Sequence, residues 1–189
     1  MTPETRLHLL DDVPACGAVF ELGVARGAFS WLMLNYRHDI TVYSVDRWTD
    51  HHDEKEYLAA VELLAPYGDR SEIWRMTFAE AANLVEDGVV DLVYVDGYAF
   101  TGQDNGQTLR DWWPKVQPGG IFAGHDYCDE FRPTVDAVNE FAREHNLTVE
   151  IIPGDNHPSW RKYPSWRIQK PDHRLGRISP IVLCLLSDY

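Results

Sequence analysis

Residues 18–31, AVFELGVARGAFSW, carry the pattern that decides the fold. A short apolar run, Ala18 to Phe20, meets Glu21; Gly23 and Gly27 then bracket a tight turn, and 28–36 reads as a helix. The order is strand, glycine turn, helix. Glycine at these places lets the backbone adopt φ > 0 or approach a ligand without a Cβ in the way. The helix that follows aims its unpaired N–H groups into the same space. The dinucleotide fingerprint G-x-G-x-x-G is broken, because Ala25 stands where its second glycine would let the backbone approach a pyrophosphate.

Working outward, several further segments read as strands that end in chemistry. TVYSVD (41–46) alternates β-branched and aromatic residues and closes on Asp46, 19 residues beyond Gly27. An acid so placed offers two oxygens to neighbouring ribose hydroxyls. Arg47 follows it directly. EIWRM (72–76) is the expected third strand, and Thr77 with Glu80 has the spacing of a capping box. In a nucleotide-binding α/β fold that strand ends near the adenine, which makes Met76 and Thr77 candidate contacts. VVDLVYVDG (89–97) is almost wholly apolar before Asp96, as expected of a central parallel strand covered on both faces. IFAG (121–124) is strand five, landing on His125, Asp126 and Tyr127 after a QPGG turn.

Helices are expected at 4–12, at 50–65 with Tyr57, Leu58, Val61 and Leu64 on one face, and at 131–145 with Val135, Val138, Phe141 and Ala142 inward. The stretch 98–107 reads as a loop or the entry to a helix. TVEII (148–152) is strand six, and the last strand is either 165–169 or 179–186.

Length and composition suit one domain over 1–189 with a sizeable core, and no apolar run approaches the roughly 20 residues that span a bilayer. The N-terminus has neither a basic region nor an apolar signal core, so the expected location is cytoplasmic. The formal net charge is −13, from 17 Lys+Arg against 30 Asp+Glu, which argues against a nucleic-acid substrate. A basic group at 161–177 (Arg161, Lys162, Arg167, Lys170, Arg174, Arg177) reads as a solvated surface. Cysteines 16, 128 and 184 form no metal-binding spacing and are expected to be reduced, buried thiols. The adjacent His51 and His52 are poor metal geometry.

The E-x-G-x-x-x-G turn, with acids closing strands one, two, four and five, resembles the class I S-adenosylmethionine (SAM) methyltransferases. VVDLVYVDG followed by DWWPKVQPGGIFAGHDY resembles the small sugar- and antibiotic-type O-methyltransferases of that superfamily, over about 17–170. The resemblance implies a Rossmann-like, doubly wound, mostly parallel seven-stranded α/β sheet with helices on both faces. It implies SAM as cofactor, with Glu21, Gly23, Ala25 and Gly27 around its methionine end, Asp46 and Arg47 at its ribose, Met76 and Thr77 near the adenine, and Asp96 beside it. It also implies methyl transfer to a small-molecule hydroxyl, with Asp96, His125 and Asp126 catalytic and able to hold Mg²⁺ or another divalent metal. An imidazole among the ligands shifts that preference toward softer ions; without metal, His125 or Asp126 serves as general base.

This chain departs from its relatives after strand four, where DGYAFTGQDNG lacks their histidine. That departure keeps open a SAM-binding module without turnover, acting as a sensor or partner subunit, and an NAD-type oxidoreductase remains the third reading. Trp48, Tyr98, Phe100, Tyr127, Trp160 and Trp166 fall in expected loops or at strand ends; of these Trp48, Tyr98 and Tyr127 are the candidate substrate contacts. A small-molecule acceptor, no membrane, and an open question of homo-oligomerisation complete the expectation.

Overall fold

The computed structural model describes residues 5–49, 52–155 and 160–172. Seven strands form one sheet: β1 (Ala18–Leu22), β2 (Thr41–Asp46), β3 (Ser71–Arg75), β4 (Val90–Val95), β5 (Val116–Gly124), β6 (Glu150–Ile152) and β7 (Ser165–Gln169). Their spatial order is β3-β2-β1-β4-β5-β7-β6. The first five pair parallel, while β7 runs antiparallel between β5 and β6. The sheet is therefore the doubly wound, mostly parallel one expected. Its last strand is 165–169; 179–186 lies outside the described residues.

Among the described residues five α-helices of six residues or more accompany the strands: α1 (Ala28–Tyr36), α2 (Glu54–Leu64), α3 (Phe78–Leu84), α4 (Gln107–Trp112) and α5 (Arg132–Glu144). Successive strand residues point to opposite faces, and two separate cores result. Val19, Leu92, Tyr94 and Ile121 pack with Phe29, Met33 and Leu34 of α1 and with Leu7, Leu9 and Leu10 of a leading 3₁₀ segment, Thr5–Asp12. Phe20, Val93, Val95 and Phe122 pack on the other face with Phe78 of α3, Trp112 of α4 and Phe141 of α5. The capping box is present, with the Thr77 hydroxyl accepting from the Glu80 N–H and the Glu80 side chain accepting from the Thr77 N–H.

Three local expectations change and one is met. The QPGG turn lies inside β5: Val116 pairs with Val90 and Ile121 with Leu92, so 117–120 bulge from the ladder. Lys170 secures that bulge by donating to the carbonyls of Trp113 and Val116. In α2, Ala60 and Leu64 are buried whereas Leu58 is 56% exposed, because the helix turns Leu58 away from the sheet. Segment 98–107 is the expected loop leading into a helix, with a turn in which Gly102, Gln103, Asp104, Asn105 and Gly106 all have positive φ before the helix starts at Gln107. Finally, Cys16 is exposed and Cys128 half-buried, since both sit in turns flanking strands; Cys184 lies outside the described residues.

Candidate functional site at the carboxyl edge of the sheet

Backbone hydrogen bonds continue past the strand ends and bring three connections together. The Gly23 N–H donates to the Val45 carbonyl at 2.9 Å, Asp96 to Leu22 at 2.7 Å and His125 to Val95 at 2.9 Å. The segments after β1, β4 and β5 therefore leave the sheet side by side. Gly23 has φ +99°, and a Cβ there would collide with the carbonyl of Asp96. Its glycine is required by the closeness of two connections, a reason the motif alone does not reveal.

A cavity of about 790 Å³ opens at this edge, within the usual range for small-molecule sites. One wall is the glycine turn with Glu21, Gly23 and Ala25; the floor carries Asp96, His125 and Asp126; aromatic side chains Phe100, Phe131 and Tyr163 complete the lining, with Tyr163 edge-on to His125 at a centroid distance of 6.2 Å. Phe131 stands edge-on to both Phe100 and Tyr163, at centroid distances of 5.2 and 5.0 Å. A narrow pocket lined by Asp46, Arg47, Met76 and Thr77 shares Gly23, His52, Gly97 and Tyr98 with the cavity, so the two are continuous.

The polar cluster is compact. His125 Nδ1 lies 2.7 Å from Asp126 Oδ1 and 3.8 Å from Asp96 Oδ1. One donor atom from each residue falls within 4.8 Å of the others. Burial first, and then the Asp96 charge, push the Asp126 carboxyl above its ordinary range, against the hydrogen bond from His125. Asp126 itself has φ +59°, a left-handed conformation that aspartate tolerates better than most residues.

Asp46 behaves differently from a solvent-facing ribose ligand. Its Oδ2 accepts from the N–H groups of Val24 (2.9 Å) and Ala25 (3.0 Å) and meets His52 Nδ1 at 2.9 Å, while Oδ1 accepts from the Trp48 N–H at 3.1 Å. Four partners fill the approximately four lone-pair sites of a carboxylate. Burial works to raise its pKa, but the His52 bond and the three backbone bonds outweigh it and hold the carboxyl at about 2. Ala25, whose φ is +49°, occupies a conformation that suits the glycine missing from the fingerprint. Glu21 is fully buried, accepts a hydrogen bond from Ser30 Oγ, and is raised by burial to about 8.

Not every expected residue reaches the cavity. Trp48 is 1% exposed, donates Nε1–H to the Ala25 carbonyl at 2.7 Å and packs edge-on to Tyr57, so it supports the glycine turn from behind. Tyr127 faces α5, where its hydroxyl donates to Asn139 at 2.7 Å. Trp166 is core, and the side chain of Trp160 lies outside the description. Gly27 is the left-handed residue before α1 and abuts Ala60 and Leu64 of α2. Of the three substrate candidates only Tyr98 lines the cavity. Sequence reasoning named Phe100 among the aromatics of expected loops and strand ends without choosing it as a substrate contact, and missed Arg6, His52, Phe131 and Tyr163. Arg6 lies in the expected leading helix, where nothing in the local pattern sets it apart, and Phe100, Phe131 and Tyr163 come from three distant stretches.

The sequence profile of the methyltransferase domain matches residues 20–127, more than half of the chain. The chain belongs to the methyltransferase domain family. A curated relative, an uncharacterised protein of Sinorhizobium fredii, is 34% identical over 89 residues; the match covers 44% of this chain and spans about a tenth of that relative's length. The methyltransferase fold recurs in solved structures at low identity. A SAM-dependent O-methyltransferase from Thermotoga maritima superposes with TM-score 0.64 at 16% identity, over 88% of this chain and 63% of that one. An rRNA methylase from Streptococcus thermophilus gives 0.65 at 14%, over 90% and 98%. A Streptococcus mutans protein crystallised with S-adenosylhomocysteine gives 0.66 at 15%, over 90% and 98%.

Within the methyltransferase domain the family match ends at Tyr127, just after the Asp96–His125–Asp126 cluster. Arg161 pairs with Asp155, Arg167 with Asp12, and Lys170 is spent on backbone carbonyls. These three cations are thus tied into the fold; Arg174 and Arg177 lie outside the described residues. Among the described residues no helix is long and apolar enough to cross a membrane.

Proposed function

We propose that this methyltransferase domain moves the methyl group of SAM to a hydroxyl of a small molecule in the cytoplasm. The observation that carries the reading is the Asp96–His125–Asp126 cluster on the floor of a cavity of about 790 Å³ that also touches the glycine turn. When bound, SAM supplies a methyl carbon on a positively charged sulfur, open to direct displacement. The chain's task is to align the acceptor oxygen with that carbon, exclude water and take the hydroxyl proton. His125 or Asp126, joined by the bond between His125 Nδ1 and Asp126 Oδ1, takes it.

The adenosine lies along the edge that the cavity shares with the narrow pocket, at Gly23, His52, Gly97 and Tyr98, with the ribose hydroxyls exchanging with His52 on Asp46; the narrow pocket itself has room for little more than a water, so Met76 and Thr77 reach the base only as it widens. The aromatic wall of Phe100, Phe131 and Tyr163, together with Tyr98, takes the acceptor's apolar part. A net charge of −13 favours a small acceptor over RNA. The donor set also fits a divalent metal: two carboxylates and one imidazole would hold it, and it would lower the acceptor hydroxyl's pKa.

Calorimetric titration with S-adenosylhomocysteine, with and without Mg²⁺, tests the proposal. Binding at about micromolar Kd, near −8 kcal/mol, together with methyl transfer to a hydroxylated acceptor, is the expected result. Absence of binding under both conditions removes it. Binding that leads to no transfer with any hydroxylated acceptor would leave a SAM-binding module instead.

A further inference from the structure

Arg6 has no counterpart in the motifs that define the site, yet it lies in the cavity wall. Its side chain is 4% exposed. The guanidinium carbon sits 3.7 Å from the centroid of the Phe29 ring, in the first turn of α1. Nη1 donates to the Tyr94 hydroxyl at 3.0 Å and to Asp96 Oδ2 at a long 3.4 Å. Stacking fixes the plane of the guanidinium, and the Tyr94 bond fixes its rotation within that plane. Tyr94 is in turn held by Ser165 at 2.8 Å.

We infer that Arg6 is the residue that binds the carboxylate of the cofactor's methionine moiety, with Asp96 taking the ammonium on the same carbon. This rests on the SAM reading proposed above. The chemistry is that of a matched pair. An α-amino acid carries opposite charges on one carbon, and Arg6 with Asp96 presents opposite charges 3.4 Å apart. A guanidinium binds a carboxylate in a planar, two-pronged manner that an ammonium cannot reproduce. Glu21, the other acid on this wall, is pushed by burial toward its neutral form and so competes less for the guanidinium. Arg6 touches Phe29 at the start of the helix that follows the glycine turn, and Tyr94 and Asp96 at the end of β4, so it stands beside the turn. The choice of ligands in the test separates the cofactor from the acceptor as the source of the carboxylate.

The test compares two ligands that differ in one group, S-adenosylhomocysteine and its decarboxylated analogue, titrated against the wild-type chain, Arg6→Met and Arg6→Lys. The wild type should bind the carboxylated ligand about tenfold or more tightly than the analogue. Arg6→Met should lose that preference while binding the analogue as the wild type does, and Arg6→Lys should keep part of it. Melting temperatures of the variants are measured alongside. Equal wild-type affinity for the two ligands would overturn the assignment while leaving the cofactor reading intact, and needs no variant to fold. A preference that survives in a folded Arg6→Met, or an equal loss for both ligands, would overturn it as well, the latter marking Arg6 as structural. Failure of both ligands to bind the wild type would remove this assignment together with the cofactor reading.

Discussion

Replacing Asp46 with Asn tests whether this carboxylate holds the glycine turn in place. Asn is nearly isosteric but brings one acceptor oxygen and an amide that donates, so backbone donors of Val24, Ala25 and Trp48 lose a charged partner. The magnitude follows from the pKa, which falls from the usual 3.8 to about 2 on folding. A shift of that size corresponds to about 2 kcal/mol of stability at neutral pH. The folded-state pKa lies below the unfolded one, so this contribution is complete above the unfolded value. It is lost as pH falls through the folded value, and the window is therefore roughly pH 4 down to pH 2. Urea unfolding at pH 7 should show Asp46→Asn about 2 kcal/mol less stable than wild type, and a series toward pH 3 should show the gap narrowing by about half. A variant as stable as wild type at pH 7 would refute the reasoning. A deficit that stayed constant through pH 3 would refute it too, because the loss would then be one of packing.

Other outcomes follow from the same geometry. Ala25→Gly and Asp104→Gly each remove a side chain from a left-handed backbone position and should raise stability by about 1 kcal/mol, read from chemical denaturation. Glu21 is raised from 4.5 to about 8 by burial, so wild-type stability should decline as pH rises through that interval. Glu21→Gln should flatten the decline and be the more stable protein at pH 8, by on the order of 3 kcal/mol in thermal or urea unfolding. Asp126→Asn should lower the rate of methyl transfer by about 10²–10⁴ while S-adenosylhomocysteine affinity stays within a few-fold, measured by single-turnover kinetics and calorimetry.

The sequence by itself determined what depends on near neighbours along the chain. The alternation in 41–46, the apolar run in 89–97, the glycine turn and the Thr77–Glu80 box each specify an element locally, and the order of strands and helices then allows little besides a doubly wound sheet. The acids at strand ends were legible for the same reason: position along a parallel strand places a residue at the carboxyl edge. What tertiary structure alone decided depends on segments far apart in the chain. Asp46 is placed at a strand end by its spacing, but the convergence of the Val24, Ala25 and Trp48 amides on its carboxylate comes from packing alone. Trp48 looked like a pocket aromatic until its indole was found bonded behind the turn. Arg6 carries no motif, and it becomes a wall of the cavity only because the leading segment packs against α1 and β4, about 90 residues away in sequence, where its charge meets Asp96. Local pattern sets which faces are apolar; which polar groups meet is set by packing between elements, and no spacing along the chain encodes that meeting.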